Sequence, residues 1–405
     1  MTEKVKKFFI SAFMVVYCVT SIGWILTRIV SNSHDLLGKY IYSNRLINYR
    51  AGFIRRGLGG EIIFWISHVT GFSLVSVIEL TSAIIWSILV FFFVYKFIQK
   101  KYPLFILLLP FFIGETILTD QSYFLRQDSL IILIFIAMIY VVRSQIISDK
   151  LSFWLINLLF VFGVLFHEAI FFVSFPILLL TLLHKTKSLV KAFFFLLPSL
   201  IAFVLCFLLP EKSAPAEMLK LSPEINPEYI CCFLSFMQSI SIQWQKISET
   251  SAFFTLFYFF VWVASVYCVC VNFVKLRFGC CDTSSAVHVD TNLLSKILLI
   301  QLCSVLPLFC CALDWGRWIF LWVASSFAYF LLVEEDPFYK IPVLSKLNIA
   351  QSRLAGINPL MVFFIAIFID CPFKLPLRPN MLYSAVFIIL RAFKISFEFI
   401  FNSFF

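Results

Sequence analysis

Residues 151–183 form a run of 33 in which only His167 and Glu168 can ionise. A water-soluble fold has no interior large enough for a succession of such runs, whereas a bilayer takes about 20 predominantly apolar residues per helical crossing. One very long helix would hold His167 and Glu168 in mid-membrane, where ionisable groups are costly. Two shorter helices that meet at this pair fit better, because the block ends on Lys185, Lys187 and Lys191.

The rest of the chain repeats the pattern. Of its 405 residues, 61% are apolar and 13% charged, against about 25% charged in a soluble domain. The 52 phenylalanines need lipid or a neighbouring helix. The apolar stretches are continuous rather than alternating, which excludes a β-barrel and leaves a helical bundle. The expected fold is therefore all-α, a single polytopic integral membrane domain over residues 1–405. The net charge of +10 does not point to nucleic acid, because the basic residues fall in short clusters between apolar runs, where they set membrane orientation. The twelve cysteines, including the adjacent pairs Cys231/Cys232, Cys280/Cys281 and Cys310/Cys311, show neither metal spacing nor a disulfide framework. They read as small apolar fillers.

Lys4, Lys6 and Lys7 precede an apolar run over 8–30 that is too long for a signal-peptide core, so it reads as a retained first span leaving a cytoplasmic N-terminus. The next span, 74–97, returns to Lys96, Lys100 and Lys101. Between them lies an outer segment, 31–73, whose apolar stretch 62–72 is too short to cross and is read as interfacial or re-entrant. Further spans are expected at 104–118, 130–142, the two halves of 151–183, 193–209, 252–274, 297–312, 319–333, 359–369 and from 381 onward, with a second outer loop over 210–251. That makes about twelve crossings with both termini cytoplasmic.

On this topology the unusual polar residues share the outer face, where arginine is disfavoured. The segment 48–61 carries Arg50, Arg55 and Arg56 among Gly52, Gly57, Gly59 and Gly60, and ends on Glu61. Arginine forks engage phosphate oxygens in pairs, and glycines let backbone N–H groups approach an anion. Glu61 is placed to steer an arginine. Either a diphosphate ligand or lipid headgroups would satisfy this loop.

His167 and Glu168 are the candidates for acid–base chemistry, with apolar flanks expected to raise the carboxyl pKa; a polar turn between two helices is the other reading. Arg126 lies near Asp128, and Asp314 three residues before Arg317, spacings that suit local ion pairs. Trp315 and Trp318 flank Arg317 and suit either an interfacial belt or stacking on a sugar.

An outer-face set of arginines and acids on a bundle of this size resembles the Wzy-type O-antigen polymerases. The resemblance covers the whole chain in size and topology rather than in a diagnostic motif. It implies transfer of a glycan from undecaprenyl diphosphate onto a lipid-linked acceptor repeat unit, at the periplasmic face of a bacterial inner membrane. It also implies a glycan donor, a glycan acceptor and a chain-length regulator as partners, and no metal or other cofactor. Arg50, Arg55, Arg56, Arg126 and Arg317 would hold the diphosphate, His167, Glu168 or Asp314 would serve in catalysis, and Trp315 and Trp318 would stack on sugar. A lipid-linked-sugar glycosyltransferase of the GT-C type and a polysaccharide flippase are the alternatives. The first would favour acids over arginines in the first outer loop, and the second midplane charges and internal repeats.

Overall fold

The computed structural model describes residues 40–102, 104–109, 111–112, 125–209, 214–225, 241, 244–245, 252–274, 284–311 and 315–333. Among the described residues the chain is helical throughout. In chain order the helices are α1 (Tyr40–Arg45), α2 (Gly57–Thr70), α3 (Leu74–Gln99), α4 (Asp128–Arg143), α5 (Asp149–Phe166), α6 (Ala169–Thr186), α7 (Leu189–Leu208), α8 (Ala214–Leu221), α9 (Ala252–Phe273), α10 (Ser284–Cys311) and α11 (Trp315–Leu332). Six of these helices, α3, α5, α6, α7, α10 and α11, contain stretches long and apolar enough to cross a membrane.

Helix starts follow local chemistry. Ser73, Ser148 and Ser188 each precede an apolar run, and each side chain accepts the N–H of the third residue on, opening α3, α5 and α7. The break in the 151–183 run falls at His167 and Glu168, as expected. His167 is extended, at φ −166° and ψ 122°, and its backbone N–H closes α5 on Gly163. Its Nδ1 accepts the N–H of Ala169, the first residue of α6 (3.1 Å). A single residue thus ends one helix and caps the next.

Packing grades from lipid to core. α11 is central, against α3, α4, α6 and α10, and 94% of it is buried, whereas only 22% of the spanning stretch of α7 is. On α3, Ile84, Ile88, Phe91, Tyr95 and Ile98 are exposed at alternating spacings of four and three, one helical stripe suited to lipid. Its opposite face buries Phe93 and Phe97 against Phe112 and Phe327. Buried polar groups are served locally, as apolar surroundings require: Trp322 Nε1 donates to Leu298 O (2.7 Å), and Thr181 meets the Tyr329 hydroxyl (2.8 Å).

Pro198 lies inside α7 and cannot donate to the preceding turn. Asn157, on α5, reaches that point. Its Nδ2 donates to Phe195 O (3.0 Å), and its Oδ1 accepts Ser199 N–H (3.1 Å) and Ser199 Oγ–H (2.6 Å). Phe195 O and Ser199 N are the two groups that an unbroken helix would join to each other.

The bundle has two chemically distinct ends. Basic residues occupy the last turns of α3, α4 and α6, where they complement the helix dipoles, and Lys185 pairs there with Asp149 (2.7 Å). The opposite end gathers the starts of α4, α6 and α11 and the close of α5.

Several expectations are corrected. The stretch expected to cross from residue 104 begins as a short 3-10 helix, Leu104–Leu108, set between Pro103 and Pro110, which disfavour a continuing α-helix. α10 starts at Ser284 rather than 297, because polar residues need not end a helix. α11 starts at Trp315 rather than 319, so Arg317 and Trp318 lie in its first turn. α2, with 14 residues, rises about 21 Å, short of a crossing as expected. The spans expected at 8–30, 359–369 and beyond 381 lie outside the described residues, as does most of the 210–251 loop.

Candidate functional site

At the end away from the lysines, the segment before α2 folds over the turn between α5 and α6. Gly60 makes this possible: a Cβ there would lie 2.0 Å from the Ile47 carbonyl oxygen. Gly59 packs on Gln127, whose Nε2 would be 2.7 Å from an added Cβ. Gly57, Gly59 and Gly60, expected to expose backbone N–H groups to an anion, therefore serve close packing instead. Glu61, expected to steer an arginine, accepts the Tyr49 backbone N–H (3.2 Å).

Two arginine–carboxylate pairs meet at His167. Arg56 grips Glu168 with both arms of its fork, Nε to Oε2 at 2.8 Å and Nη2 to Oε1 at 2.5 Å. Arg55 stands 3.9 Å from the same carboxylate and lies over the Phe207 ring. Deeper in, Arg317 Nε lies 2.8 and 2.6 Å from the two Asp128 oxygens, and its Nη2 lies 2.7 Å from Oδ1. The same Nη2 is 2.7 Å from His167 Nε2, and His167 Nδ1 is 3.6 Å from Glu168 Oε2. The chain Glu168–His167–Arg317–Asp128 thus ties four helices together.

The electrostatics follow from these contacts. Burial, and then Arg56, hold the His167 imidazole well below its ordinary pKa, so the ring is neutral at physiological pH. Burial alone would raise the Glu168 carboxyl, but Arg56, with Arg55 behind it, outweighs it and holds it well below the usual carboxylate range. This corrects the expectation of a raised carboxyl: burial does push it up, but the fork of Arg56 decides. Glu168 is an ionised partner of arginine rather than a protonated acid.

Arg45, Arg56, Arg126 and Arg317, with Asn44, Gln127 and His167, line a pocket of about 410 Å³ including its open mouth. Burial pulls the Arg45 guanidinium down to about 10, still cationic at neutral pH. Such a wall is suited to an anion with several oxygens, since each guanidinium offers planar N–H pairs and stays charged.

Of the residues singled out from sequence, Arg56, Arg126, His167 and Arg317 come together at this pocket, with Glu168 and Arg55 beside it. Arg50 does not join them; it stacks on Phe64, 4.0 Å from the ring centre. Asp128 pairs with Arg317, 189 positions away, rather than with the nearby Arg126. Asp314 lies outside the described residues. Trp315 and Trp318 are only 3% and 4% exposed, which leaves no face for a sugar: Trp315 donates to Phe309 O and packs on Phe259, and Trp318 lies under Arg317. Arg45, Asn44 and Gln127 were not anticipated. The only sequence signal was their closeness to other arginines, Arg45 to the 50–56 cluster and Gln127 between Arg126 and Asp128. In comparison with known proteins, no family model, curated protein or solved structure matches this chain.

Proposed function

We propose that this protein polymerises oligosaccharide repeat units carried on a polyprenyl diphosphate, in the manner of the Wzy-type polymerases it resembles. The observation that carries the reading is the pocket walled by four arginines beside a neutral histidine, at the end of the bundle away from the lysine clusters. In the full reading the chain crosses a bacterial inner membrane about twelve times with both termini in the cytoplasm, so that the pocket opens at the periplasmic face.

The reaction makes two demands. The acceptor hydroxyl attacks the anomeric carbon of the donor, its proton passes to a base, and the bond from that carbon to the diphosphate oxygen breaks. The departing diphosphate gains charge, which preorganised guanidinium groups stabilise. Glu168, ionised beside the pocket, is the carboxylate that can take this proton, whereas the neutral His167 already uses its Nδ1 lone pair on the Ala169 N–H.

Deletion of the gene with gel analysis of surface polysaccharide tests the reading. Chains capped with one repeat unit support polymerisation, whereas full-length polymer, or loss of every repeat, overturns it. In the complemented strain, Arg56→Lys keeps the charge but loses the fork, and should shorten the polymer at normal protein abundance.

A further inference from the structure

We infer that Arg45 and Gln127 form the seat of a phosphate or diphosphate oxyanion in this pocket. The inference rests on the reading above for its location but stands on its own contacts. Arg45 ends α1 and is only 5% exposed, yet among the described residues its guanidinium has neither a carboxylate nor a hydrogen-bond acceptor, and its buried Nε has no partner. A buried cation without a partner is strongly disfavoured in an empty protein, and such a group is retained where a ligand completes it.

Gln127 supplies a second, independent observation. It precedes α4, is 6% exposed, and its Nε2 is buried without an acceptor. Glycine at position 59 leaves the space this amide occupies. Both orphaned donors line the same pocket. The other walls are differently employed: Arg56 and Arg317 already hold Glu168 and Asp128. An incoming oxyanion therefore meets its unsatisfied donors at Arg45 and Gln127, and only secondary edges of the paired arginines.

The ligand chemistry follows from the donors. A fork and an amide lining one pocket match the several oxygens of a tetrahedral phosphate group. Several guanidinium groups around one pocket favour multiple negative oxygens over a single carboxylate. Such a group reaches the site either as the headgroup of a polyprenyl diphosphate or as a free ion.

The test uses the full chain purified into nanodiscs, with thermal unfolding followed by tryptophan fluorescence. One arm adds inorganic pyrophosphate, and the other uses nanodiscs doped with polyprenyl diphosphate. Either ligand should raise the melting temperature saturably in the wild type, and the arm with the larger shift identifies the source. Arg45→Gln and Gln127→Ala should each weaken apparent affinity about ten- to hundredfold, the loss of one charge-assisted contact. Arg50→Gln, on the Phe64 ring outside the pocket, should leave it unchanged. No saturable shift in either arm, or wild-type affinity in Gln127→Ala, overturns the seat. The Gln127 variant carries the test even if Arg45→Gln fails to fold, because it alters no charge. A chain that passes this test while its deletion leaves polymer length intact keeps the seat and loses the polymerase reading.

Discussion

Replacing Asp128 with asparagine should unfold this protein more readily than any other single change of one atom's identity around the pocket. Asp128 is fully buried and Arg317 is 6% exposed, and three N–H···O contacts of 2.6–2.8 Å join them. The variant keeps the shape, removes the charge and turns an amide donor toward a guanidinium that has only donors. Breaking a buried pair from one side costs about 3–5 kcal/mol, or roughly two to four orders of magnitude in the folded-to-unfolded ratio. Arg317→Met should cost a similar amount by stranding the carboxylate. The double variant Asp128→Leu, Arg317→Met removes both charges at similar volume, and should be more stable than either single change. Denaturation by dodecyl sulfate in mixed micelles, followed by tryptophan fluorescence, measures all four proteins. Single variants within about 1 kcal/mol of wild type, or a double variant that loses the sum of the two, would refute the claim that the pair is a buried, mutually dependent unit.

Acidification should destabilise the chain through His167: the unfolded ring takes a proton below about 6.5, whereas the folded ring, held well below its ordinary value, does not. Stability is therefore full above that pH and falls as pH drops, with a slope of up to about 1.4 kcal/mol per pH unit. Glu168, held low in the folded state, adds its own loss only below about 4.3. Unfolding curves between those two values should be flatter for His167→Gln than for wild type, and superimposable slopes would contradict a neutral buried ring. Gly60→Ala should cost about 3 kcal/mol, the upper end for overpacking, because the obstacle at 2.0 Å is the Ile47 backbone and cannot repack. Gly71→Ala, at φ +72° with open space around it, should cost only about 1 kcal/mol, the price of a left-handed residue with a Cβ; equal losses in the two would sink the close-approach argument.

Much of the scaffold was legible because hydropathy and serine caps act locally. The limits of α3, α5 and α6 lie close to the ends of the apolar runs and the His167–Glu168 pair, whereas α7 starts at Leu189 rather than 193, behind the Ser188 cap. The start of α11 was misplaced because Trp315 and Trp318 read as interfacial, whereas the fold buries both. The site was legible only as a cluster on one side of the bundle. Its pairings were not, since spacing along the chain suggests neighbours, Arg126 with Asp128 and Asp314 with Arg317, while the observed Asp128–Arg317 pair spans 189 positions. The depressed Glu168 carboxyl was hidden for the same reason: its environment is set by Arg56, 112 positions away. Arg45 and Gln127 carry no signature at all until packing leaves them buried without partners.

The amide of Asn157 has the donor and acceptor of a peptide group, and it serves the backbone of a different helix beside its proline. α7 consequently does not satisfy its polar groups near Pro198 alone; it borrows from α5. A helix that borrows must arrive after its lender. Synthesis from the N-terminus delivers α5 to the bilayer two helices ahead of α7, so the order of elements along the chain is also a workable order of insertion. Exchanging the two segments would preserve every apolar run, and so every expected crossing, yet send the dependent helix into lipid without the side chain that serves its Phe195 carbonyl and Ser199 N–H.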